Sequence, residues 1–134
     1  MSETRIIIEF DEQWSVYQSG ETICGEFKLE SFNPQNIKAV EVSVLWYTEG
    51  KGDEDLDVHE FRRIAADEMN WNQFRRSNRF ETVLPNSPLS YDGMILKIRW
   101  CVRVRVFPKR GREIVGEAPF VLGDVQTAQS VKKP

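Results

Sequence analysis

The stretch from Leu96 to Val106 constrains this chain more than any other, because apolar and polar side chains alternate along it. Leu96, Ile98, Trp100, Val102, Val104 and Val106 hold the even positions; Lys97, Arg99, Cys101, Arg103 and Arg105 hold the odd ones. Successive strand side chains point to opposite faces, so this spacing predicts a strand with one apolar face on a core and one basic face outside it. A helix would scatter both sets around its circumference.

The same period recurs elsewhere. Ile23, Gly25, Phe27 and Leu29 alternate with Cys24, Glu26, Lys28 and Glu30. Val40, Val42, Val44 and Trp46 alternate with Glu41, Ser43, Leu45 and Tyr47, a second face whose apolar end suits cover by a loop. Ile6–Phe10, Leu56–Ile64, Arg79–Leu84 and Arg112–Val121 complete the set. Turn-forming clusters separate these runs at Gln18-Ser19-Gly20, Asn33-Pro34-Gln35-Asn36, Gly50-Lys51-Gly52-Asp53, Pro85-Asn86-Ser87-Pro88 and Lys109-Arg110-Gly111. About seven strands with regular turns predict an all-β, immunoglobulin-like antiparallel sandwich. Ala65–Ser77 reads either as a helix or as a long loop with one helical turn that packs Trp71 over the sandwich edge.

The sequence has 134 residues, enough for one domain to bury a core without metals or disulfides. Residues 1–123 are expected to form that domain, with 124–134 as a polar, aperiodic tail. A net charge of −3 gives the whole molecule no general attraction to nucleic acid or to an anionic membrane. No apolar run approaches the roughly 20 residues that a membrane span needs. The N-terminus lacks the basic flank and small-residue site of a signal peptide, and the two cysteines form no disulfide framework. A reduced, cytoplasmic protein is the expectation.

Three segments together resemble the arrestin N-terminal domain family. Ser19-Gly20-Glu21-Thr22-Ile23-Cys24-Gly25 is similar to the family's opening, a glycine turn leading into a strand that carries a second glycine. Leu84-Pro85, followed by Pro88-Leu89-Ser90-Tyr91, resembles its Leu-Pro then Pro-Ser-Tyr element. Ile98–Val104 falls where relatives have a long strand, and Glu117–Val121 looks like the strand that closes the domain. The resemblance implies an arrestin-like topology and a binding or scaffolding role. Arrestins pair two such domains, and this chain has room for one; it also lacks the Pro-Pro-x-Tyr motif of some relatives. The local chemistry agrees. Gly20 suits a positive-φ turn, Gly25 a bulge or close backbone approach, and Pro85 and Pro88 must lie outside a central ladder. Tyr91 is expected to bury its ring and hydrogen-bond through its hydroxyl.

Catalytic chemistry finds no mutually supporting residues. The sole histidine, His59, stands in a strand with no nucleophile motif beside it and reads as an exposed strand residue. Phosphate-binding glycine loops, Gly-x-Ser-x-Gly and His-Glu-x-x-His are absent. No enzymatic activity and no cofactor are therefore implied. Asp53-Glu54-Asp55-Leu56-Asp57 could offer oxygens to a cation, but Val58 and Ile64 stand where an EF-hand needs glycine and glutamate, so a solvated hairpin tip is expected. Cys24 and Cys101 lie on the outward parity of their strands and are expected as free, partly exposed thiols, able to meet if the strands are neighbours.

The basic row Lys97, Arg99, Arg103 and Arg105 is the candidate partner-binding site, with Lys109, Arg110 and Arg112 following at the turn. Arginines so placed can grip carboxylate or phosphate in bidentate fashion. The competing reading is a charge-laced sheet face, with Glu26, Glu30 and Glu41 answering the row across strands. The leading expectation is a non-catalytic interaction module that binds a protein partner through an edge strand or this basic face. A small-ligand or carbohydrate-binding sandwich is the alternative, with Trp14 and Trp71 as stacking surfaces because Trp46 and Trp100 fall on core parity. A homo-oligomer built by edge pairing is a third.

Overall fold

The computed structural model of the protein describes residues 4–12, 15–52 and 54–123. The predicted tail 124–134, Trp14 and Asp53 lie outside the described residues. Within them the chain forms nine strands: β1 (Arg5–Phe10), β2 (Val16–Tyr17), β3 (Thr22–Glu30), β4 (Ile37–Gly50), β5 (Leu56–Ala65), β6 (Asn78–Val83), β7 (Tyr91–Asp92), β8 (Leu96–Pro108) and β9 (Ile114–Leu122). All seven expected strands are present. The two that alternation did not reveal, β2 and β7, have two residues each, too few to show a period.

The strands build two sheets. One holds β1-β3-β6, and the other runs β2-β9-β8-β4-β5 with β7 added beside β8. Every pairing is antiparallel except that of β2 with β9. Chain order and spatial order differ: β3 and β4 are consecutive, yet they sit in different sheets. This is an all-β, immunoglobulin-like sandwich of arrestin-like fold, as the sequence predicts.

Alternation becomes burial. Ile23, Phe27 and Leu29 of β3 face Val40, Val42 and Val44 of β4 and Trp100, Val102, Val104 and Val106 of β8 in one continuous core. Full burial of each such side chain stabilises by about 1.5–3 kcal/mol. Phe10, Tyr17, Phe80 and Phe120 close one end with edge-on rings 5.8–6.3 Å apart. Trp100 is 1% exposed, and its indole N–H donates to the Pro88 carbonyl at 2.8 Å.

The segment after β5 takes the second of its two expected forms. It holds a 3-10 turn at Ala66–Glu68 and a single helical turn α1 (Trp71–Phe74). The Asn70 side chain caps α1 by accepting from the Gln73 N–H at 3.3 Å. That turn buries Phe74 against Phe27 and stacks Trp71 on Phe32 at a centroid distance of 6.1 Å.

Gly25 is held for the reason expected. A Cβ there would fall against the Glu9 carbonyl oxygen and the Phe80 ring. Gly20 has φ +85, within the left-handed region. Pro85 and Pro88 lie between β6 and β7, outside any ladder. Tyr91 departs from expectation: its ring is exposed and lies over the backbone of Gly93. It belongs to a two-residue strand at the sheet's end, where no second layer covers it. The neighbouring Ser90 hydroxyl accepts from the Leu122 N–H at 2.8 Å and ties down the end of β9.

Candidate functional site

The outer face of the larger sheet carries the residues that the sequence singled out. Lys97, Arg99, Arg103 and Arg105 share that face of β8, as predicted. Each has an acid beside it. Lys97 pairs with Asp92 of β7 at 3.4 Å and Arg99 with Glu49 of β4 at 2.7 Å. Arg103 pairs with Glu117 of β9 at 2.5 Å, and Arg105 with Glu113 at 3.1 Å. The hydrogen bond to Glu49 holds the Arg99 guanidinium above its ordinary pKa. These pairs are exposed or half-exposed, so each contributes about 0–1 kcal/mol to stability.

The acids are not those expected. Glu26 and Glu30 belong to β3 in the smaller sheet, where Glu26 accepts from the Ser77 hydroxyl and Glu30 pairs with Arg5. Glu41 does stand opposite Arg105, but its carboxylate binds Arg63 of β5 at 2.6 Å. Arg63 and Arg105 then share the Phe107 ring, with guanidinium carbons 5.4 and 5.8 Å from its centroid. The basic row is thus part of an alternating lattice of charge rather than a bare cationic strip.

An apolar row crosses the same face between these pairs. Val58 of β5, Leu45 of β4, Cys101 of β8 and Pro119 of β9 stand side by side in register. Leu45 is 2% exposed and Cys101 3%, although both point outward by parity. The expectation of a partly exposed Cys101 is therefore corrected: cross-strand neighbours close over it, and burial pushes its thiol up to about 12. Cys24 is half-buried on the outer face of the other sheet, so the two thiols are on opposite sides of the sandwich and both are free.

The row ends on β5, which is the edge strand of its sheet. It is ten residues long and exposed at every residue from Leu56 to Arg63. Its outer face adds Leu56 at 52% exposure, Val58 at 40% and Phe61 at 51%. It contains no proline or lysine to blunt it, but Asp57, Glu60 and Arg62 place charges on its inward side, a feature that limits indiscriminate pairing. A bulge falls at His59, where the register with β4 shifts between Val44 and Leu45.

The other side chains of β5 reach across the open flank to β6. His59 Nε2 lies 2.7 Å from the Val83 carbonyl oxygen, so that nitrogen carries the donated proton. Arg62 donates to the Arg79 carbonyl at 3.3 Å, and Glu60 accepts from the Thr82 hydroxyl at 3.2 Å. The edge of β6 is thereby capped by side chains, while β1 lies alongside β9, with Ile6 against Gly116. His59 is an exposed strand residue, as expected.

Sequence reasoning did not single out β5. Its signal was present: between Leu56 and Ile64 charged residues fall on both parities, the pattern of a strand with no second layer over it. A second exposed apolar feature is the turn between β7 and β8, at Met94 and Ile95. In the acidic turn, the Asp55 N–H donates to the Thr48 hydroxyl at 2.8 Å. Trp71 presents a half-buried ring already stacked on Phe32, and Trp46 packs against the core. Among the described residues no helix is long and apolar enough to cross a membrane.

No family model and no curated protein matches this sequence. Its fold does match solved structures. The crystal structure of Spo0M, a sporulation control protein from Bacillus subtilis, superposes with a TM-score of 0.61 at 10% sequence identity. The match covers 92% of this chain and 51% of that one, so this chain spans about half the length of that structure. The likeness is one of fold, and the fold is arrestin-like.

Proposed function

We propose that this protein is a non-catalytic protein-interaction or scaffolding module resembling one arrestin domain, and that it docks a protein partner along the β5 edge. One observation carries the reading: a ten-residue edge strand is exposed along most of its length and flanked by an apolar row on the outer face. Such an edge presents unpaired backbone donors and acceptors that a partner strand can complete, while the side chains of Leu56, Val58 and Phe61 supply selectivity. The basic row is the weaker site, because Glu49, Asp92, Glu113 and Glu117 already neutralise it. An acidic partner would have to displace those acids before gaining its own ion pairs. The fold shared with a sporulation control protein fits a regulatory role without naming a partner.

Affinity purification from the source cell separates the two faces. Phe61→Lys places a charge on the docking edge and should abolish partner recovery. Reversing Arg103 and Arg105 to glutamate should leave recovery largely intact. The opposite pattern would transfer the site to the basic face.

A further inference from the structure

Resting on the reading of β5 as a docking edge, we infer that its occupant is a second copy of this chain, paired antiparallel across a two-fold axis at Phe61. A continuous sheet across a two-fold puts each residue opposite one on the same face, so a residue must lie on the axis. The bulge at His59 leaves Glu60–Ala65 as the regular part of the edge. Centring on Glu60 sets two carboxylates opposite each other. Centring on Arg62 or Arg63 sets two guanidiniums opposite each other. Like charges directly opposite are unfavourable. Centring on Ile64 pairs three residues, as centring on Phe61 does, but it sets Arg63 opposite Ala65 and brings no opposite charges together.

Phe61 is the centre that remains. It sets ring against ring on the outer face and Glu60 opposite Arg62 of the other copy, twice over. Neither Glu60 nor Arg62 has an ion pair among the described residues: Glu60 accepts from Thr82, and Arg62 donates to a backbone carbonyl. Both therefore have charge to offer across the axis. The paired sheets would also join the two apolar rows, since Val58 and Phe61 sit at the open end of each.

The test is light scattering across a concentration series with four proteins: wild type, Glu60→Arg, Arg62→Glu and the double reversal. Wild type should dimerise. Each single reversal creates two like-charge pairs across the axis and should raise the dimer dissociation constant at least about tenfold. The double reversal should restore the dimer, and an equimolar mixture of the two single variants should form a heterodimer. These substitutions lie on an exposed edge, and the double variant reports whether the fold tolerates them. A monomeric wild type overturns the inference and leaves the edge reading to be decided by partner recovery with Phe61→Lys. A dimer indifferent to both single reversals overturns it as well, by placing the contact elsewhere.

Discussion

Leu45 offers a sharp test of the outer face. Parity points its side chain away from the core, and an outward leucine on an open sheet would cost almost nothing to truncate. Here it is 2% exposed, between Val58 on one side and Cys101 on the other. Leu45→Ala removes three buried carbons, worth about 0.8 kcal/mol each, for a loss of about 2 kcal/mol. The loss should stay near the low end of Leu→Ala values, because neighbouring side chains on an outer face can relax into the gap. Urea unfolding at one protein concentration measures it. With a slope of about 1.5 kcal/mol per molar, the midpoint should fall by about 1.3 M. Lys97→Ala, on the same face but exposed, should move the midpoint by less than about 0.3 M. If Leu45→Ala moved it no further than Lys97→Ala, the buried apolar row would not exist as described.

Three further outcomes follow from particular side chains. Gly25→Ala forces a Cβ against the Glu9 carbonyl and the Phe80 ring, so it should destabilise by about 1–3 kcal/mol, seen as a melting temperature lower by about 4–12 °C; an unchanged melting curve would refute the close approach. Cys24 should react with a thiol reagent in the native state, whereas Cys101 should react only as the fold opens. Burial raises Cys101 from 9.0 to about 12 and Tyr17 from 10.0 to about 12, so both are neutral in the folded chain where the unfolded chain ionises. Their contribution to stability is full below pH 9 and is lost as pH rises toward about 12. Cys101→Ala should remove the part of that decline beginning near 9, and an identical alkaline limb would count against the buried thiol.

Much of this protein was legible in its sequence because alternation is a local property. A period of two tells which face of a strand meets the core without reference to any other strand. It correctly assigned Val102, Val104 and Val106 inward and Lys97, Arg99, Arg103 and Arg105 to one outer face. The glycine turn at Gly20 was equally local, set by the chain's own sterics, whereas the close approach at Gly25 is made by Glu9 of β1 and Phe80 of β6. Which strands lie side by side was not local. Glu26 and Glu30 have the right parity to answer the basic row, yet the chain crosses to the other sheet between β3 and β4, so their carboxylates never reach it. Leu45 and Cys101 are buried on an outward face because β4 and β8, distant in sequence, pair and set them side by side, with Val58 and Pro119 flanking them. Only long-range pairing decided that β5 would end its sheet, and with it that a ten-residue strand stands open to a partner.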